Sequence, residues 1–186
     1  MKRFFRQFRP AALCLLVMVV LCGVVYTGIV TGIGQLAFSH QANGSLIAVT
    51  LKDGTKADYG SALIAQEFTQ PQYLIGRPMT VSNLSPTSAA QLTLVQQRVD
   101  WLQGLDTENS AAIPADLVTA SGSGVDPYIS PAAADYQAAR IAKARGIPED
   151  AVRAVIDKYT VGRFLGFIGE PGVNVLKVNL ALDGLL

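Results

Sequence analysis

A chain of 186 residues with a formal net charge of +1 has room for one domain, or one domain with an appendage, and excludes a large multidomain enzyme. Half of the residues are hydrophobic and only 16% are charged, well under the roughly 25% of ordinary soluble domains. With a mean hydropathy of +0.33, part of that apolar mass must lie outside a soluble core.

The excess is at the start. Lys2, Arg3, Arg6 and Arg9 precede thirty uncharged residues from Pro10 to Ser39. Ala11 to Val30 alone reaches about 30 Å as a helix, the thickness of a bilayer core, and its eleven Leu, Val and Ile residues favour insertion. The pattern predicts a basic cytoplasmic N-terminus over 1–9, a transmembrane helix over 10–38 and one further domain over 39–186. A cleaved leader is the competing reading. Its apolar region is usually about 7–15 residues long with a small-x-small cleavage site, whereas Gly34 to Ser39 offers no good Ala-x-Ala site. Within the span, Gly28 and Gly32 form Gly-x-x-x-Gly, and Gly23, Thr27 and Thr31 add small residues at the same spacing, a row expected to pack closely against a partner helix.

Four cations before the span, and none after it until Lys52, predict an N-terminus held inside. The remainder is then exported, to the periplasm in a Gram-negative source, with Phe4, Phe5 and Phe8 suited to the inner headgroup layer. That part carries eleven Lys and Arg against fourteen acids, a net of −3, which argues against nucleic acid. Cys14 and Cys22 both fall in the span, so the exported domain has no disulfide.

Beyond the turn at Asn43-Gly44, Ser45 to Leu51 alternates as a short strand ending at Asp53-Gly54, a hairpin signal. Ser61 to Phe68 is a short helix candidate, and Gly76 to Thr87 is loop. Ser88 caps a predicted helix over Ala89 to Leu102, with Leu92, Val95, Val99 and Leu102 as its core stripe. Asp106 to Ala112 and Thr119 to Ser130 read as loops. Ser130-Pro131 supplies an N-cap and an N1 proline for a helix over Ala132 to Arg145 that Gly146 ends. A second helix opens at Pro148-Glu149-Asp150, its stripe Val152, Val155, Ile156 and Tyr159, and the two should form a hairpin. Leu176, Val178, Leu180 and Leu182 alternate with polar or small residues and predict a half-buried strand. The fold class expected is α+β.

Catalytic chemistry is limited by what is missing. The single histidine, His40, lies at the membrane boundary and the cysteines lie in the span, so no nitrogen or sulfur zinc site and no serine–histidine–acid triad is expected. No phosphate-binding glycine motif follows a strand. A serine–lysine hydrolase, with Ser121 or Ser123 as nucleophile and Lys143 as base, is one alternative, and a free-standing binding module another. Asp116, Asp126 and Asp135 read as caps and turns before a cation site. The segment containing Ser121, Gly122, Ser123, Gly124, Asp126, Pro127 and Ser130 reads as an ordered structural or docking loop with no catalytic group. No cofactor-binding residue is assigned.

Several segments carry a resemblance in order and spacing: Asn43 to Ile47, Gly60 to Ile64 with Gln66 and Phe68, Gly76-Arg77-Pro78, Pro114 to Pro131, Tyr136-Gln137, Ala144 to Gly146, Gly169-Glu170-Pro171 and Val173 to Asp183. Together with the N-terminal span they resemble the C subunit of the bacterial Kdp potassium-transporting ATPase, KdpC, over essentially the whole chain. The chain departs at Val81 to Pro86, which lacks the family's two glycines, and at Tyr128, where His is common. The resemblance implies a non-catalytic inner-membrane accessory subunit. Its implied partners are a channel-like potassium-binding subunit, an ATP-hydrolysing P-type subunit and a very small membrane subunit, and its implied role is to raise the ATP affinity of the hydrolysing subunit. ATP is implied by the resemblance alone, and export of the domain conflicts with direct contact between it and cytoplasmic nucleotide.

Overall fold

A computed structural model describes residues 2–51 and 53–186, with side chains from Arg6 onward; the side chains of Lys2, Arg3, Phe4 and Phe5, and Lys52, which enter the charge argument, lie outside the described residues. The chain forms two compact units, residues 1–45 and 46–186.

The first unit is helical. α1 (Lys2–Met18) passes through Pro10 into a π-helical stretch (Val19–Tyr26), α2 (Thr27–Ala37) follows, and α3 (Ser39–Ala42) is a single turn. The wide turns leave Thr27 Oγ1 donating to Cys22 O, five residues back, at 2.9 Å. Arg6 to Ala37 is long and apolar enough to cross a membrane.

The second unit opens with a hairpin of β1 (Leu46–Thr50) and β2 (Lys56–Ser61), closed where Asp53 accepts from Thr55 N. An irregular stretch to Thr87 leads into α4 (Ala89–Leu105), capped by Ser88, whose hydroxyl accepts from Gln91 N at 3.2 Å. Next come α5 (Ala115–Val118), β3 (Tyr128–Ile129), and the helices α6 (Pro131–Arg145) and α7 (Glu149–Lys158), which pack on each other. β4 (Thr160–Val161), β5 (Gly172–Asn174) and α8 (Val175–Leu182) complete the unit. β5 lies between β3 and β4, antiparallel to both. The class is α+β as expected, and the caps hold: Ser130 Oγ accepts from Ala133 N at 3.1 Å and Gly146 adopts φ +65°.

Four expectations are corrected. Thr119 to Ser130 is not loop throughout, because Tyr128–Ile129 pairs with β5 as β3. Ser61 to Phe68 is no helix: Ser61 ends β2, and the following turns are set by Ser61 Oγ accepting from Leu63 N and by Gln66 Nε2 donating to Tyr59 O. On α4, Leu92 is 60% exposed, so the core stripe starts at Val95. The C-terminal alternation is a helix. Asn174 caps it by accepting from Lys177 N at 3.0 Å. Leu176 and Leu180, one turn apart, join Ile47 and Val49 of the hairpin, while Val175 and Val178 enter the main core with Leu74, Ile141 and Val152. A helix buried on two faces mimics a period of two.

Between these elements, Pro71 to Ile75 runs into the core without a strand partner. Leu74 N donates to Asn179 Oδ1 at 2.7 Å and Asn179 Nδ2 donates to Leu74 O at 2.9 Å. Gln137 repeats the arrangement on Ile75, with 2.9 Å and 3.0 Å bonds. Arg140 donates to Pro71 O and Tyr73 O, and Arg145 Nε to Gln72 O at 2.7 Å. Burial pulls the Arg140 guanidinium down to about 10, with Asp106 and Tyr136 opposing, so it stays charged at neutral pH.

Asn179→Ala is expected to lower unfolding stability by about 2–4 kcal/mol in urea titration, because it strands the buried N–H and C=O of Leu74. Gln97→Ala, on the exposed side of α4, should stay within about 0.5 kcal/mol.

Candidate functional site

In the loop before α6 the serine and aspartate side chains are engaged by backbone close at hand. Gly124 N donates to Ser121 Oγ at 3.0 Å, Val125 N to Ser123 Oγ at 3.3 Å and Tyr128 N to Asp126 Oδ1 at 3.0 Å. Ser121 Oγ and Ser123 Oγ lie 3.3 Å apart. Asp116 accepts from Ser130 N at 2.7 Å and from its hydroxyl at 3.3 Å, tying α5 to the cap of α6. Val125 O accepts from Ala65 N and the buried Pro127 accepts at its carbonyl from Val175 N, so the loop is fastened to the hairpin side and to α8. Gly124 is buried at φ +70°, and a Cβ there would sit 2.6 Å from Val81 Cγ2. This arrangement presents a fixed surface.

Nothing here resembles an activated nucleophile. Lys143 donates to Glu108 at 2.7 Å, and that bond raises its pKa, whereas a dyad base needs it lowered. Asp135 pairs with Arg153, and among the described residues no group of three or more His, Cys, Asp or Glu gathers where a metal ion would sit.

In the helical unit, Thr27, Gly28, Thr31 and Gly32 lie on α2, each pair one turn apart, while Gly23 falls in the π-helical stretch. A Cβ at Gly23, Gly28 or Gly32 would meet nothing within 4 Å. The row is open along its length.

Two clefts in the second unit were not anticipated. The larger, about 470 Å³, is lined by Phe68, Arg77, Met79, Arg98, Trp101 and Leu117 among others. Arg98 is committed to Val118 O at 2.8 Å and Thr80 Oγ1 at 3.3 Å, while Arg77 Nε is buried without an acceptor. Glu67 lines the cleft as well, so charges of both signs face it beside the Phe68 and Trp101 rings. The sequence signal was Gly76-Arg77-Pro78 alone, since Arg98 and Trp101 stand on a helix read only for its apolar stripe. The smaller, about 380 Å³, is rimmed by the pairs Lys143–Glu108 and Arg153–Glu149 and holds Tyr136 and Arg140.

Gly124→Ala is expected to cost about 1–3 kcal/mol of stability through φ strain and the Val81 contact, and Ser130→Ala about 1 kcal/mol through the lost cap. Gly122→Ala, where a Cβ meets nothing within 4 Å, should change stability by under about 0.5 kcal/mol in the same denaturant titration.

Comparison with known proteins covers this whole arrangement. The profile of the family KdpC, "K+-transporting ATPase, c chain", matches residues 8–184. The potassium-transporting ATPase KdpC subunit of Listeria monocytogenes is 52% identical over 188 residues, covering 100% of this chain and 99% of that protein. The KdpC subunits of Methylococcus capsulatus and Sorangium cellulosum are 50% and 48% identical, over 96% of this chain and 98% and 97% of theirs. With a match that spans the helical unit, the fastened loop and α8 alike, the chain belongs to the KdpC family, the c chain of the K+-transporting ATPase.

Proposed function

We propose that this chain is a non-catalytic accessory subunit of an ATP-driven potassium uptake complex. It crosses the inner membrane once over residues 10–38, keeps residues 1–9 in the cytoplasm and holds residues 39–186 on the periplasmic side. It assists assembly with a channel-like potassium-binding subunit, a P-type ATP-hydrolysing subunit and a small membrane subunit, and it raises the ATP affinity of the hydrolysing subunit. The observation that carries this reading is the end-to-end identity to proteins named as KdpC subunits of a potassium-transporting ATPase.

Three further observations support it. Four cations before the span, against none after it until Lys52, favour export of the domain. The open glycine row on α2 offers a face for close helix packing. The serines and aspartates of the 119–130 loop are engaged by backbone and by one another, which fits a docking element better than a reaction centre. With the domain outside, the effect on ATP affinity passes through subunit contact.

The test is co-expression with the neighbouring transport subunits, purification through a tag on this chain and assay of potassium-stimulated ATP hydrolysis. Gly28→Leu with Gly32→Leu should leave membrane insertion intact and reduce recovery of the partners, and undiminished recovery would mean that the row faces lipid. Ser121→Ala and Ser123→Ala should leave turnover nearly unchanged. Loss of turnover with assembly and stability intact would restore the chemical reading of the loop.

A further inference from the structure

The larger cleft is framed by the buried segment that Asn179 and Gln137 hold. Residues 66–69 line it before Pro71, residues 75–80 line it after that segment, and Arg98 and Trp101 of α4 complete the wall. Glu67, Phe68 and Arg77 are thus carried by one piece of backbone that is fastened at Leu74 and Ile75. Two opposite charges line this space and neither is matched. Among the described residues, Arg77 and Glu67 form no ion pair and no hydrogen bond, with each other or with any other group. Arg77 Nε is shut off from water with no acceptor, an arrangement that folded proteins rarely leave unresolved. The other cation, Arg98, is already engaged by Val118 O and Thr80 Oγ1. Beside the two unmatched charges stand the rings of Phe68 and Trp101 and the thioether of Met79.

We propose that the cleft binds a free α-amino acid with an aromatic side chain, its carboxylate on Arg77, its ammonium on Glu67 and its ring against Phe68, Met79 and Trp101. The charges choose this class. A guanidinium takes a carboxylate on its Nε–Nη edge through two parallel hydrogen bonds, and turning that edge to a ligand gives the orphaned Nε its acceptor. An anion alone would meet Glu67 as a like charge, and a cation alone would meet Arg77. A molecule that carries both signs on one carbon answers both. Nucleotide phosphates, with several negative charges, would meet one unmatched cation and an opposing carboxylate. A stretch of another subunit would have to present an acid and a base side by side on its own side chains, whereas every free amino acid has the pair built in. Two rings and a thioether favour an aromatic body through offset ring packing and sulfur–ring contact. The volume of about 470 Å³ lies within the about 300–1,000 Å³ of small-molecule sites.

Trp101 is the chain's one tryptophan and is 42% exposed in the cleft wall, so its fluorescence reports occupancy. The experiment titrates the full chain in detergent, without other subunits, and its outcome is therefore separate from the assembly reading. L-Phenylalanine should change the emission saturably. Hydrocinnamate, which lacks the ammonium, and phenethylamine, which lacks the carboxylate, should each bind about tenfold or more weakly. Glu67→Gln, at an exposed position, should bring phenylalanine down to the level of hydrocinnamate while thermal unfolding is unmoved. Arg77→Gln should bring it down to the level of phenethylamine. The proposal is overturned by no saturable change with phenylalanine up to about 10 mM, or by hydrocinnamate binding as tightly as phenylalanine. Tighter binding of phosphoethanolamine, the zwitterion of a lipid headgroup, would overturn it as well, and so would undiminished preference for phenylalanine in Glu67→Gln.

Discussion

Five consecutive carbonyls, from Pro71 to Ile75, accept hydrogen bonds from side chains of α6 and α8: Arg140, Arg145, Asn179 and Gln137. Leu74 and Ile75 are 0% and 5% exposed, so their backbone groups cannot turn to water, and no strand lies beside them to form a ladder. A buried peptide in that position has to be matched elsewhere. The primary amides of Asn179 and Gln137 carry a donor and an acceptor side by side and reproduce the edge of a neighbouring strand for one residue each. The domain has replaced a strand with two helices that carry strand chemistry on their buried faces.

The rest of the architecture follows from that substitution. Asn179 must face Leu74, which sets the rotation of α8 and sends Leu176 and Leu180 towards the hairpin and Val175 and Val178 towards the main core. Asn174, five residues earlier, caps α8 through Oδ1 and donates from Nδ2 to Ala62 O at 3.0 Å, joining the start of the helix to the end of the hairpin. Pro127 O accepts from Val175 N, so the loop before α6 is positioned by the same helix. The close approach of Tyr128 to Gly172, where a Cβ would stand 3.2 Å from the ring, seats β3 on β5.

Local signals were readable where local chemistry decides. Ser130-Pro131, Gly146, Ser88 and the acids at Glu149 and Asp150 announce helix ends because a cap is settled within four residues. Ser130 was legible as a cap for the same reason, whereas the acceptor roles of Ser121 and Ser123 towards Gly124 N and Val125 N were not. Leu176 to Leu182 misled because its apolar residues serve two clusters, and a single alternating stripe is the one-dimensional projection of both. Gln137, Arg140 and Asn179 gave no signal, since a polar residue on a helix is ordinarily solvated and their partners lie 62 to 105 residues away. The Arg77–Trp101 cleft was hidden likewise, since its lining comes from separate segments of the chain.

A domain held this way has its loops fastened from within, which suits the proposed role in assembly. The most direct measure of the central claim is amide hydrogen exchange at Leu74 and Ile75 in the full-length chain. Their amides should be protected to the level of Ile141 in the middle of α6, even though neither belongs to a helix or strand. Exchange as fast as that of Leu84, in the exposed loop before α4, would contradict the account, because it would mean that Asn179 and Gln137 do not hold the segment that the two cores are built around.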